Sequence, residues 1–258
     1  MKNADWNAKT FHAGNAYVLA EFTSLVYDDD KVKAKSILMD KFGMKWVQFF
    51  RIDETEALVT YNDTALILAF RGTSSLQDAL TDIKIKLIEG FKGTGRIHEG
   101  FKTGSERIWN EVWSSMGRMR RNRTIWVTGH SLGGALALTA AARLQFEKNQ
   151  RVHGLYTFGQ PRAGDTAFTE ACQKAFGDRY FRFVHNNDIV PRVPFRLMGF
   201  EHTGIFKYIN STKQLDDTKT WEEITKDRLS GRIVHFLKPG TDGISDHSMI
   251  NYVEALSK

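Results

Sequence analysis

The chain predicts an α/β fold, a central and mostly parallel β-sheet with helices on its faces. Short β-like runs at 124–128, 152–158 and 180–184 alternate with helical runs at 132–148 and 165–176, the order that parallel strands with crossover helices require. The glycine-flanked turn Gly129-His130-Ser131-Leu132-Gly133 joins the first of those strands directly to the first of those helices. With 258 residues, 41% of them apolar, the chain has enough material for one large core. Four prolines (Pro161, Pro191, Pro194 and Pro239), no Ser/Gly-rich linker, no repeat and no low-complexity block predict one domain over residues 1–258.

Taken in order, Phe11, Val18, Phe22 and Leu25 fall at helical spacings, and 31–42 reads as a second amphipathic helix. Runs 57–61 and 65–70 flank Asn62-Asp63 and predict a hairpin. Between Ser74 and Lys92, Leu76, Leu80, Ile83 and Leu87 recur at helical spacing, which by itself predicts an amphipathic surface helix. A helix over 102–116 is followed by Arg118-Met119-Arg120-Arg121-Asn122-Arg123, where cations complement the negative end of a helix dipole. The formal charge of +6 is in keeping with this solvated helix end; acidic lipid headgroups or nucleic acid are the alternative partners for such a run. A final helix follows the polar sequence Asp246-His247-Ser248.

Cys172 is the only cysteine, so no intrachain disulfide forms, and it reads as an inert packed side chain. The first residues carry no apolar signal-like core and no stretch of 18 apolar residues follows. These features predict a soluble chain, cytoplasmic as written or secreted with its signal removed.

In such sheets ligands bind beyond the carboxyl ends of strands. Phe70-Arg71-Gly72-Thr73, Gly129 to Gly133 and His185 to Pro191 end three of the β-runs. A bare Gly-x-Ser-x-Gly turns up by chance in roughly one chain in ten of this length, so its strand-to-helix setting carries the weight. There the glycines remove Cβ atoms that would clash and the turn holds the Ser131 hydroxyl above the sheet edge. A serine hydroxyl is a weak nucleophile near neutrality and needs an imidazole to accept its proton and a carboxylate to orient that imidazole. Asp188 lies just past a strand downstream of the serine; Asp165 competes with it, unless it N-caps the helix that follows. Of the histidines after Asp188, His247 enters a final helix from a polar turn, His235 sits inside the β-like run 232–237 and reads as structural, and His202 stays a competitor. His130 predicts a packing and hydrogen-bonding residue beneath the turn, and His98 a brace for the loop at Arg71-Gly72-Thr73 or the site wall.

The motifs Phe70-Arg71-Gly72-Thr73, His98-Glu99-Gly100-Phe101, Gly129 to Ala135, Thr157 to Asp165, Asn187-Asp188-Ile189-Val190-Pro191 and Asp246-His247 stand in the order found in class 3 lipases, the fungal-lipase-like α/β hydrolases. The chain resembles that family from Ala57 to its C-terminus. The resemblance implies an α/β-hydrolase fold with Ser131 as nucleophile, Asp188 as acid and His247 as base. It also implies an oxyanion hole from the main-chain N–H groups of Thr73 and Leu132, with the Thr73 hydroxyl as an extra donor. The segment bearing Leu76, Leu80, Ile83 and Leu87 matches the family's helical lid, although Ala79 stands where members often carry tryptophan after the aspartate. The implied activity is hydrolysis of lipid esters, with phospholipase A1, acyltransferase and non-catalytic lipid binding as alternatives. Neither a metal nor an organic cofactor is required, no Cys/His cluster offers a zinc site, and no nucleic-acid partner is expected. Lacking the disulfides of the secreted fungal members, the chain fits an intracellular or bacterial-type member.

Overall fold

Strand β3 (Ala65–Phe70) is apolar throughout and buried at every residue, as a strand covered on both faces must be. Ala65, Ile67 and Ala69 enter one apolar cluster while Leu66, Leu68 and Phe70 enter the other, because successive side chains leave a strand on opposite sides. The computed structural model describes residues 3–73, 86–218, 220 and 242–258.

Around β3 an eight-stranded sheet is built in the order β1-β2-β3-β6-β7-β8-β9-β10. β1 (Trp46–Ile52) and β2 (Thr55–Tyr61) pair antiparallel on one side of β3. On the other side β6 (Thr124–His130), β7 (Val152–Phe158), β8 (Tyr180–His185) and β9 (Ile205–Ile209) run parallel to β3 and to one another. β10 (Leu215–Asp216) closes that edge antiparallel. β4 (Leu87–Glu89) and β5 (Arg96–His98) form a separate antiparallel ribbon.

The described helices are α1 (Ala13–Tyr27), α2 (Lys31–Asp40), α3 (Glu99–Met116), α4 (Leu132–Phe146), α5 (Thr166–Phe176), α6 (Asp242–Ser245) and α7 (Met249–Ser257). Phe22 and Val26 of α1, Leu38 of α2, and Tyr252 and Leu256 of α7 join the β3 face that carries Ile67. Trp109 and Val112 of α3, Leu136 of α4 and Phe168 of α5 cover the opposite face. Burying each such large apolar side chain contributes about 1.5–3 kcal/mol. This sandwich sets the carboxyl ends of the parallel strands β3, β6, β7 and β8 along one edge of the sheet and fixes where a site can form.

The predicted parallel strands and the predicted helices outside 74–92 are present, with ends displaced by a few residues. β1 has no sequence signature because only Val47 in it is buried, so the alternation of a half-buried strand is lost. β9 is masked in the same way, by Lys207 at its centre and an exposed Ile205 at its start. The predicted helix between Ser74 and Lys92 requires a correction at its end. Leu87 lies in β4, paired with His98, and Gly90 N–H bonds to Gly95 C=O at 2.7 Å to close the turn into β5. Three glycines in six residues favour such a turn over a helix. Leu76, Leu80 and Ile83, like His235, lie outside the described residues. Cys172 is fully buried and burial pushes its thiol pKa up, as an inert thiol requires. No helix among the described residues is long and apolar enough to cross a membrane.

Candidate active site

β6 ends at His130 and α4 begins at Leu132, leaving Ser131 alone on the turn with φ 58° and ψ −132°. A residue with a Cβ is strained there, by about 1–3 kcal/mol, so surrounding contacts must hold it. Ser131 N–H donates to Phe158 C=O and Ser131 C=O accepts from Gly134 N–H, both at 2.9 Å. The flanking glycines are required by close approach: a Cβ on Gly133 would stand 2.5 Å from the carbonyl oxygens of Phe70 and Arg71, and one on Gly129 would overlap the Gly133 carbonyl. Across the same gap, a Cβ on Gly72 would lie 2.8 Å from Ser131 Cβ, so glycine lets the β3 loop reach the serine.

Asp188, just beyond β8, has no exposed surface, and His247, on the turn between α6 and α7, is 4% exposed. His247 Nδ1 lies 2.9 Å from both carboxylate oxygens of Asp188. The Tyr252 hydroxyl donates to Oδ2 at 2.5 Å and Val190 N–H to Oδ1 at 3.0 Å. Burial acts to raise the Asp188 pKa, but His247 and the hydrogen bonds from His247 and Tyr252 prevail and hold it below the ordinary value. The carboxylate therefore keeps its charge and fixes the proton of His247 on Nδ1. That leaves the lone pair on Nε2, a buried nitrogen with no hydrogen-bond partner among the described residues. His247, Ser131 and Thr73 line one cavity of about 500 Å³, whose apolar wall includes Leu25, Ile244 and Met249.

A second chain of bonds ties the two loops together. Gly72 N–H donates to the Tyr27 hydroxyl at 2.8 Å, that hydroxyl lies 2.8 Å from His130 Nδ1, and His130 Nε2 lies 2.6 Å from the His247 carbonyl. The carbonyl only accepts, so the proton of His130 is on Nε2 and Tyr27 donates to Nδ1. Burial, followed by the proximity of His247, lowers the His130 pKa to about 3, so the ring is neutral. It stacks on His247 with centroids 4.4 Å apart. The neighbouring turn is held by Asp246, whose carboxylate accepts from Asn187 N–H at 3.1 Å and Asn186 Nδ2 at 2.9 Å.

Thr73 follows this glycine on the cavity wall, and Leu132 is the first residue of α4, where a backbone N–H has no acceptor within the helix. The loop before Thr73 is anchored by Arg71, which bonds Glu56 through Nη1 at 2.5 Å and through its own N–H to Glu56 C=O at 3.0 Å. Lys31 Nζ holds the other carboxylate oxygen of this buried Glu56 at 3.3 Å.

The competitors fall elsewhere. Asp165 N-caps α5 by accepting from Phe168 N–H at 2.9 Å and pairs with Arg96 at 3.1 Å. His202 Nε2 bonds the Pro191 carbonyl at 2.6 Å and is absent from the cavity lining. His98 N-caps α3 through Nδ1 at 3.1 Å from Gly100 N–H; it is not in the cavity lining either. Neither Tyr27 nor Tyr252 stands out in the sequence, and Asp246 does so only beside His247, with no role of its own. Each acts through a contact between segments far apart in the chain, and no local pattern marks a tyrosine that will reach a carboxylate 64 positions away.

The chain matches the class 3 lipase family over residues 67–198. The lipase of Rhizopus niveus is 33% identical over 196 residues, a match covering 72% of this chain and 49% of that relative, so the chain spans about half the length of the curated relative. The crystal structure of a lipase from Rhizopus microsporus var. chinensis superimposes with a TM-score of 0.66 at 26% identity, covering 81% of this chain and 79% of that one. A triacylglycerol lipase whose catalytic centre is a serine protease triad gives 0.61 at 27% identity, covering 76% and 78%. With this sheet, this strand-to-helix serine turn and a match over half of its length, the chain belongs to the class 3 lipase family and has the α/β-hydrolase fold.

Proposed function

We propose that this protein hydrolyses carboxylic esters of lipids through an acyl-enzyme, with Ser131 as nucleophile, His247 as general base and acid, and Asp188 as the group that orients the imidazole. The observation that supports the reading is the buried Asp188–His247 pair, whose Nε2 has no hydrogen-bond partner among the described residues and whose histidine lines the same cavity as Ser131. His247 Nε2 accepts the Ser131 proton as Oγ attacks the ester carbonyl. Negative charge then develops on the former carbonyl oxygen, and the N–H groups of Thr73 and Leu132 stabilise it, at about 3–4 kcal/mol for each well-placed donor. Collapse of the tetrahedral intermediate breaks the bond to the alcohol, which leaves with the proton held on Nε2. Water then repeats the sequence on the acyl-serine, and the same imidazole takes and returns its proton as the fatty acid departs.

Lipid esters are favoured as substrates by the apolar wall of the cavity and by the lipases among the relatives. Ser131→Ala removes the nucleophile and, because alanine keeps the Cβ, leaves the backbone strain at this turn unchanged. It is expected to abolish hydrolysis of p-nitrophenyl butyrate while the thermal midpoint stays near wild type; retained turnover in the purified variant would rule Ser131 out.

A further inference from the structure

Strand β6 has Ser131 beyond its carboxyl end and a basic cavity at its amino end. That cavity, of about 460 Å³, is lined by Arg120, Arg121, Arg123 and Arg151, with Asp63 and His153 among the other contributors. Its walls come from the short 3-10 turn after α3, the β2–β3 turn, the start of β6 and the loop entering β7.

Among the described residues, Arg120 and Arg123 are held in place by groups that carry no negative charge. Arg123 Nε donates to the Asn62 carbonyl, and its guanidinium lies 4.8 Å from the Tyr61 ring. Arg120 Nη1 donates to the Gly117 carbonyl, with its guanidinium 4.2 Å from the Trp113 ring. Carbonyls and ring faces orient a guanidinium and leave its full charge. The carboxylate of Asp63 is already paired with Lys45 at 2.6 Å. Arg121 and Arg151 are exposed at the rim. His153 takes part as a neutral ring, its Nδ1 accepting from Ile125 N–H at 3.0 Å. Burial, followed by Arg151 and Arg179, lowers its pKa, which marks the positive potential there.

Four guanidinium groups around one concavity focus a field for a multiply charged anion, and their planar forks match phosphate oxygens. Inorganic or esterified phosphate chains and acidic lipid headgroups share that chemistry, and geometry separates them. The seven residues of β6 put about 20 Å between this cavity and Ser131. A membrane seated on the arginines would therefore face the end of the sheet opposite the ester site. We propose that the cavity is a second binding site, for a soluble anion with two or more linked phosphate groups.

Titration calorimetry of the full chain with inorganic tripolyphosphate tests this. Binding is expected, weaker for orthophosphate, and the double variant Arg121→Gln/Arg151→Gln is expected to weaken it about tenfold or more. The variant Arg107→Gln/Lys174→Gln, which removes the same charge from exposed positions of α3 and α5, should leave it within about twofold. Both should hydrolyse p-nitrophenyl butyrate at the wild-type rate. Absence of tripolyphosphate binding to the wild-type chain, or an equal loss in the two double variants, would overturn the proposal. It would equally fail if Arg121 and Arg151 were needed for sedimentation with phosphatidic acid vesicles but not for tripolyphosphate. Should the double variant melt early, Arg121→Gln alone carries the comparison.

Discussion

Gly159 stands at the end of β7 with φ 56° and donates its N–H to Phe183 C=O at 3.0 Å. A methyl group added there would lie 2.7 Å from Asp188 Oδ2, 2.7 Å from His247 Cε1 and 2.8 Å from His247 Nδ1. Ordinary contact begins near 3.4 Å, so in Gly159→Ala the carboxylate and imidazole must each retreat by about 0.7 Å. A misplacement approaching 1 Å at reacting groups costs up to about a hundredfold in rate, so kcat/KM should fall by roughly ten- to a hundredfold. The left-handed backbone adds about 1–2 kcal/mol of strain once a Cβ is present. Gly177 supplies the control: its φ is 51° but a Cβ there meets nothing within 4 Å. Gly177→Ala should thus carry the backbone strain without the overlap, losing some stability and no activity. Initial rates on p-nitrophenyl butyrate and thermal midpoints of both variants decide the matter. Wild-type kcat/KM in a folded Gly159→Ala protein would refute the inference that this pair does the chemistry.

Further expectations concern the same network. Asp188→Asn places an amide N–H against the His247 N–H, or forces the imidazole into the tautomer with its proton on Nε2, and should reduce kcat by ~10⁴-fold. Asp165→Asn should lose only part of an N-cap, about 1 kcal/mol of stability, with turnover preserved; the reverse ranking would make Asp165 the acid. Tyr27→Phe strips the partner from Gly72 N–H and His130 Nδ1, and urea titration should read a loss of about 1–3 kcal/mol. An unchanged midpoint there would remove the hydroxyl from any positioning role. Stability should also fall on acidification: His130 titrates near 3 when folded and burial holds His202 well below 6.5, so the unfolded chain binds the extra protons. From about pH 6.5 downward each histidine should cost about 1.4 kcal/mol per pH unit until its folded value is reached. Asp188, depressed when folded, adds loss of the same sign below its ordinary value. Equal urea midpoints at about pH 7 and about pH 5 would contradict the neutral, buried assignment of these rings.

Strand and helix order, the serine turn and the placement of Asp188 and His247 were legible because each depends on a local property: apolar periodicity, glycine spacing, a polar residue just past a β-run, or a polar turn at a helix start. β1 and β9 were not, since each buries only one of its residues, too few for an alternating apolar face to show. Leu87 followed a helical spacing yet pairs as a strand, because the glycines after it turn the chain back on itself.

The linear order of residues is by itself enough to determine the alternating architecture and to nominate a serine and an acid at strand ends and a base at the polar entry to the last helix. Only the folded arrangement brought Asp188 against His247 while setting Asp165 at the start of α5 and His202 on the Pro191 carbonyl, put Tyr252 against the Asp188 carboxylate, and ran Gly72, Tyr27 and His130 into one chain of bonds. It alone also gathered Arg120, Arg121, Arg123 and Arg151 around a single cavity. The reason is physical: periodicity reports how one segment meets the core, whereas hydrogen bonds and fields depend on distances between segments that meet only after the sheet has closed.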